Sequence, residues 1–213
     1  MIKGTLKYII FDVMGVIFTV GDDVEGLLIP YVRALNPEIA AQSIRDAYHD
    51  ASLGHIRACE LWEMAGMTKA KIPEIERQYL ETSFDLDEDF LPCAKALKAR
   101  YGLALLSNDI SDWSRYLRVF YGIEPLIDAA LVSGDLGVRK PDPAIYHLAL
   151  DRLGVQASEC VFIDDHPERV EAARKLGICS ILFDREGHDY RGLRITSFGQ
   201  LRQLLLSPDV EPS

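Results

Sequence analysis

The chain has 213 residues, 48% hydrophobic and 26% charged, with 33 acidic side chains against 23 basic ones. That length and composition suit one folded domain, or one domain carrying an insertion, and exclude a disordered chain. The net charge of −10 disfavours contact with a phosphate backbone, so no nucleic-acid partner is expected, and no apolar run reaches the roughly 18 to 20 residues of a membrane helix.

The N-terminus runs straight into an apolar strand without a signal-peptide pattern, so a cytoplasmic location is expected. Cys59, Cys93, Cys160 and Cys179 are widely spaced with no C-x-x-C pair, and they read as small hydrophobes in a reducing compartment.

In chain order, residues 8–11 form a short apolar run of the kind buried on both faces of a parallel sheet. From 19 to 91 no strand pattern appears. Val24, Leu27, Leu28, Tyr31, Val32 and Leu35 recur at helical spacing, and Asn36 with Pro37 breaks the run. Helices are then predicted over 37–51, 55–65 and 73–84. Beyond them helix and strand alternate: helix 92–100, strand 103–106, helix 111–121, strand 129–132, helix 141–153, strand 161–163, helix 167–176, strand 180–183, a weaker strand 193–196 and helix 197–206. Pro141 and Pro167 suit first helical positions, and Gly154 and Gly177 suit helix ends. The tail 207–213 is expected to fray. This pattern predicts an α/β fold, a Rossmann-like doubly wound parallel sheet built from 1–18 and 92–213, with a four-helix insertion over 19–91.

Open α/β sheets bind ligands beyond the carboxyl ends of their strands. Asp12 stands at the first such end, and Ser107, Asn108 and Asp109 at the second. Arg139 and Lys140 stand in the loop after the third, and Asp164 and Asp165 at the fourth. Clustered carboxylates repel one another, and a divalent cation such as Mg²⁺ relieves that. A carboxylate can attack phosphorus, while a metal and a lysine neutralise the phosphoryl oxygens. The set therefore suits phosphoryl transfer. Singly these residues say less: Asp, Ser and Asn are ordinary turn formers, and Lys is usually a solvated charge. His166 reads as the surface start of a helix rather than a catalyst. Asp22 and Asp23 read as the start of the first inserted helix, and Tyr31 and Trp62 as core. The remaining histidines show no metal-ligand spacing.

The motifs FDVMG at 11–15, LLSN at 105–108, RKPDPAIY around Lys140 and VFIDD at 161–165, followed by HPERVEAARKLG, resemble the haloacid dehalogenase superfamily over residues 6–206. The segments GDLGVRKPDPAIY and GHIRACELW resemble its α-D-glucose-1-phosphate phosphatase group. The resemblance implies a hydrolase with a helical cap of the C1 type over 19–91. It implies a Mg²⁺-dependent phosphatase acting on a small phosphorylated metabolite, such as a sugar phosphate, through an aspartyl-phosphate. Asp12 would be nucleophile and metal ligand, Lys140 its catalytic partner, and Ser107, Asn108, Asp109 and Lys140 would border the phosphate. Asp165 and the Met14 backbone carbonyl would complete the metal ligands, with Asp164 behind them or bound through water. A monomer or homodimer is expected. One departure stands out. Most phosphatases of the superfamily carry an acid/base Asp two residues after the nucleophile, where this chain has Met14, which cannot transfer a proton. A 2-haloacid dehalogenase on the same scaffold and a non-enzymatic phosphate- or Mg²⁺-binding module are the alternatives. A two-component receiver is set aside, because its acidic pair follows the first strand.

Overall fold

The computed structural model describes residues 6–207. The expected fraying of the tail falls almost wholly on 208–213, outside the described residues. Six strands form one parallel sheet: β1 (Tyr8–Phe11), β2 (Gly102–Ser107), β3 (Ala129–Val132), β4 (Cys160–Asp164), β5 (Cys179–Phe183) and β6 (Arg194–Ile195). Their order is β3-β2-β1-β4-β5-β6, so the strand order reverses between β1 and β4. That reversal opens a crevice at the carboxyl ends of these two central strands.

The period-two alternation of a strand explains the two cores. Ile9 and Phe11 of β1 join a cluster containing Phe90, Phe183 and Phe198, whereas Ile10 joins Ala104, Leu106, Tyr146 and Phe162 on the other face. All these residues are essentially inaccessible to solvent, which is why the strands read as continuous apolar runs.

The flanking helices begin and end where local chemistry permits. The helices α5 (Phe90–Lys98), α6 (Ser111–Phe120), α8 (Pro143–Leu153), α9 (Pro167–Lys175) and α10 (Phe198–Leu206) lie within or close to the predicted spans. The third begins at Pro143 rather than Pro141. Asp142 caps it, accepting the Ala144 N–H at 2.8 Å, and this places Pro143 at the first helical position. A one-turn helix, α7 (Ser133–Leu136), was not anticipated; four residues are too few to show a periodicity.

Between β1 and α5 the chain forms α1 (Ile29–Leu35), led in by a π-helical turn at Val24–Leu28, then α2 (Ala41–Ala51), α3 (Ala58–Met64) and α4 (Ile72–Thr82). This is the four-helix insertion. Its outgoing and returning segments run side by side: Thr19 N–H donates to Asp85 O at 3.0 Å and Asp87 N–H to Ile17 O at 2.9 Å. Arg185 spans the crossing, donating to Gly15 O, Val16 O and the Asp87 carboxylate.

Aromatic packing ties the insertion to the sheet layer. Trp62 and Tyr79 of the insertion lie 5.8 and 5.3 Å, centroid to centroid, from Trp113 of α6. Glu76 accepts both indole N–H groups, from Trp62 at 2.7 Å and from Trp113 at 2.8 Å. Burying these large rings removes enough apolar area from water to hold the insertion over the strand ends. The expectation that Trp62 and Tyr31 are packing residues agrees with this cluster. Among the described residues no helix is long and apolar enough to cross a membrane.

Candidate active site

A cavity of about 220 Å³ lies between the carboxyl ends of β1, β2 and β4 and the start of the insertion. Asp12, Met14, Ser107 and Asn108 form its floor. Asp23 and Tyr48 face it from the insertion, and Arg139, His166 and Arg169 complete the wall.

Asp12 directly follows β1 and is 2% exposed. Its Oδ1 accepts the Val13 N–H at 2.7 Å and lies 2.7 Å from Lys140 Nζ. The same ammonium donates to Asp164 Oδ2 at 2.7 Å. Asp164 Oδ1 accepts the His166 N–H at 2.9 Å, so both oxygens of Asp164 are engaged. Asp12, Asp164 and Asp165 each place an oxygen within 4.8 Å of the others. Burial raises the pKa of Asp12, and the Asp164 charge adds to it against the pull of Lys140 and Arg169. Burial and the two neighbouring carboxylates raise Asp165 in the same way. Asp164 goes down, because Lys140 and Arg169 outweigh its burial.

Two observations test whether this set suits a divalent cation. The buried Asp165 Oδ1 has no hydrogen-bond partner among the described residues. The loop after β1 also closes on the same carboxylate: a Cβ on Gly15 would sit 1.9 Å from Asp165 Oδ2, and one on Gly21 2.6 Å from it. Gly15 further needs its positive φ of 75°. Three close carboxylates, one with an orphaned oxygen, are a hard-oxygen donor set of the kind Mg²⁺ prefers, so the residues fit the ion.

The other predicted site residues are placed more variously. Ser107 is buried at the end of β2 in the cavity floor. Asn108 also reaches the cavity, but its amide is committed to the Lys140 backbone. Nδ2 donates to Lys140 O at 2.9 Å and Oδ1 accepts the Lys140 N–H at 2.8 Å. Asn108 therefore holds the lysine loop in register. Asp109 departs from expectation: it is 1% exposed and is absent from the cavity wall. Its N–H donates to Ser133 Oγ at 3.0 Å and its Oδ1 accepts the Ile110 N–H, which turns the carboxyl under the insertion. Burial and the nearby Asp23 push it up to about 8.

His166, Asp23 and Arg169 are among the cavity residues to which the sequence assigns no role at the site. His166 stands at the exposed start of α9 as expected, and it also borders the cavity, where burial and Arg169 lower its pKa. Asp23 does precede the first inserted helix, yet it is only 8% exposed. Tyr48 Oη lies 3.3 Å from its Oδ2, and burial pushes it up to about 6. Arg169 is the largest omission. Its Nη1 lies 3.2 Å from Asp12 Oδ2, 3.7 Å from Asp164 Oδ1 and 3.8 Å from Asp165 Oδ1. Residue 169 lies in the first turn of α9, which begins at Pro167 just after the acidic pair, and that turn brings its side chain back over the strand end. For Asp23 there was no local signal, because its burial depends on α2 folding over it.

These strand-end features agree with comparisons to known proteins. A family model described as haloacid dehalogenase-like hydrolase matches residues 6–177. Phosphoserine phosphatase of Thermus thermophilus is 31% identical over 166 residues, covering 76% of this chain and 62% of that protein. The (S)-2-haloacid dehalogenase 4A of Burkholderia cepacia is 32% identical over 94 residues, covering 44% of this chain and 41% of that one. The chain thus spans less than two thirds of the length of either relative. The crystal structure of a HAD phosphatase from Thermococcus onnurineus superposes with a TM-score of 0.71 at 21% identity, covering 94% of this chain and 98% of that one, which shows the shared fold. With its four motifs at four adjoining strand ends, the chain belongs to the haloacid dehalogenase-like hydrolase family.

Proposed function

We propose that the chain is a phosphatase that hydrolyses a small phosphorylated metabolite through an aspartyl-phosphate on Asp12, with the insertion over 19–91 serving as the cap. The observation that carries this reading is the convergence of Asp12, Lys140, Asp164 and Asp165 within hydrogen-bonding or ion-pairing reach beside one cavity. Three carboxylates held together suit a reaction that handles a cation and a phosphate, whereas attack on the carbon–halogen bond of a 2-haloacid needs no such cation.

Asp12 attacks phosphorus, an O–P bond forms, and the bond from phosphorus to the alcohol oxygen breaks. Lys140 and the Val13 N–H orient Asp12 and stabilise its charged form. Arg139 and Arg169 bring positive charge to the cavity for the phosphoryl oxygens. When bound, Mg²⁺ would supply Lewis-acid charge to those oxygens, held by Asp12, Asp165 and the Met14 carbonyl, with Asp164 behind them. Met14 donates no proton, so the departing alkoxide needs another acid. Asp23 lines the same cavity with a pKa near 6, and we assign it that role. Water then hydrolyses the aspartyl-phosphate, giving its proton to Asp23 and releasing phosphate.

The cavity is smaller than the roughly 300–1,000 Å³ that takes drug-sized ligands, which favours a compact substrate. The likeness to phosphoserine phosphatase and the narrower resemblance to glucose-1-phosphate phosphatases both support a phosphate monoester of a small amino acid or sugar. A 2-haloacid dehalogenase is the second reading, favoured by the Arg169 guanidinium, which answers the acidic cluster without a metal. Phosphate release from a metabolite panel with and without Mg²⁺, with Asp12→Asn as control, tests the choice. Chloride release from 2-chloropropionate without Mg²⁺, and no phosphate release, would reverse it.

A further inference from the structure

We propose that Arg169 is the resident counter-cation of the acidic triad, and that a divalent metal ion has to displace its guanidinium in order to bind. The inference rests on reading this site as metal-binding, but its test needs no substrate and no turnover.

The oxygens of the triad are divided between two cations. Lys140, with a fully buried side chain, takes the inner ones: Asp12 Oδ1 and Asp164 Oδ2, each at 2.7 Å. The outward oxygens, Asp12 Oδ2, Asp164 Oδ1 and Asp165 Oδ1, all turn toward Nη1 of Arg169, at 3.2, 3.7 and 3.8 Å. An ion shared by the three carboxylates draws on the oxygens Lys140 leaves over, and Arg169 faces all of these except Asp165 Oδ2, which lies against Gly15. The guanidinium and a metal ion are therefore rivals, by like charge and by competition for the same lone pairs.

Arg169 is also a loose occupant. A guanidinium carries five N–H donors, and among the described residues this one makes a single hydrogen bond, to Asp12 Oδ2. Its contacts to Asp164 and Asp165 are longer than hydrogen bonds, and Asp165 Oδ1 stays unpartnered beneath it. A planar group of this size cannot meet all three oxygens, whereas a compact ion can. The Arg169 side chain is 23% exposed and lines the cavity, so it has a path outward without disturbing the core.

Charge arithmetic points the same way. Three carboxylates against Lys140 and Arg169 leave a net −1. Without Arg169 the balance is −2, matched to one divalent ion. Arg169 thus lowers metal affinity and keeps the metal-free site from flying apart.

The test is calorimetric titration of the substrate-free full chain with Mg²⁺. Folded Arg169→Asn is expected to bind Mg²⁺ on the order of tenfold or more tightly than wild type, the effect of removing one adjacent positive charge. Arg169→Gln replaces it if the Asn variant fails to fold. In the unmutated protein, the Arg169 side-chain N–H resonance is expected to shift as Mg²⁺ is added. Equal or weaker affinity in a folded variant, an unmoved Arg169 resonance at saturating Mg²⁺, or no Mg²⁺ binding by any form overturns the proposal. If Arg169→Asn tightens Mg²⁺ but the unmutated protein hydrolyses no phosphate ester, the phosphatase reading fails and this one stands.

Discussion

The Lys140 ammonium lies 2.7 Å from the Asp12 carboxylate, in a place where neither side chain is more than 4% exposed. Their charges are buried together, and Asp164 completes the arrangement from the neighbouring strand. Removing one partner of a buried ion pair is far more damaging than the net worth of the pair, because the other charge is stranded.

Lys140→Met is accordingly expected to lose about 3–5 kcal/mol of stability at neutral pH. Without the lysine, Asp12 and Asp164 hold their protons more tightly in the folded than in the unfolded chain, so the variant loses stability as pH rises. Denaturant unfolding at several pH values should show its deficit largest above pH 7 and shrinking toward pH 4. A deficit independent of pH would contradict this account.

Asp12→Asn removes the attacking oxygen but keeps the shape. Turnover of p-nitrophenyl phosphate should fall by about 10³-fold or more, as expected when the nucleophile of a covalent mechanism is lost. Circular dichroism should remain that of the wild type. Retention of a tenth of the wild-type rate would remove Asp12 from the chemistry.

Asp23 makes two predictions. Its pKa is raised from 3.8 to about 6, chiefly by burial. The folded protein therefore binds this proton more tightly than the unfolded one, and wild-type stability drops as pH rises between these values. Relative to Asp23→Asn, wild type should be about 3 kcal/mol less stable at pH 8, with the gap closing near pH 4. As a proton donor, Asp23 should matter most for poor leaving groups. In Asp23→Asn, kcat on alkyl phosphates should fall by about 10²–10⁴-fold, with p-nitrophenyl phosphate much less affected. An equal loss on both substrates would point to a structural role only.

Gly15→Ala sets a methyl group 1.9 Å from Asp165 Oδ2 at a φ of 75°. The left-handed conformation alone costs about 1–2 kcal/mol for a residue with a Cβ, and the clash moves Asp165 as well. Thermal melting should report the loss, and Mg²⁺ titration should show weakened binding. Unchanged binding would separate the glycine from the acidic cluster.

Glu76→Ala leaves the indole N–H groups of Trp62 and Trp113 without their shared acceptor. At about 1–3 kcal/mol for each stranded buried donor, the loss should reach about 2–6 kcal/mol. Proteolysis should then cut first within the inserted helices, whose hold on α6 has been weakened. Uniform cleavage across the chain would argue against that.

Much of the fold is legible in the sequence because its signals are local. Ile9, Ile10 and Phe11 announce a strand buried on both faces, and β1, β3 and the helical insertion fall close to where periodicity places them. Asp142 and Pro143 decided a helix start that Pro141 only approximated, and α7 was too short to see. At the site, Asp12, Lys140, Asp164 and Asp165 were marked by their positions at strand ends. Asp109 was marked by the same rule and does not reach the cavity, since one residue of backbone turn sends successive side chains in different directions.

The sequence by itself determined the parallel α/β core, the helical insertion and the cluster of acids with one lysine, because strand periodicity, helix caps and strand-end position are properties of neighbouring residues. Only the tertiary structure decided what surrounds that cluster. Arg169 meets Asp12 across 157 positions of chain, Asn108 clasps Lys140 across 32, and Asp23 is sealed against Tyr48 across 25. Such contacts follow from how β1, β4 and the inserted helices pack together. The charge, burial and protonation of a site are set by what packs around it, and no local pattern encodes that.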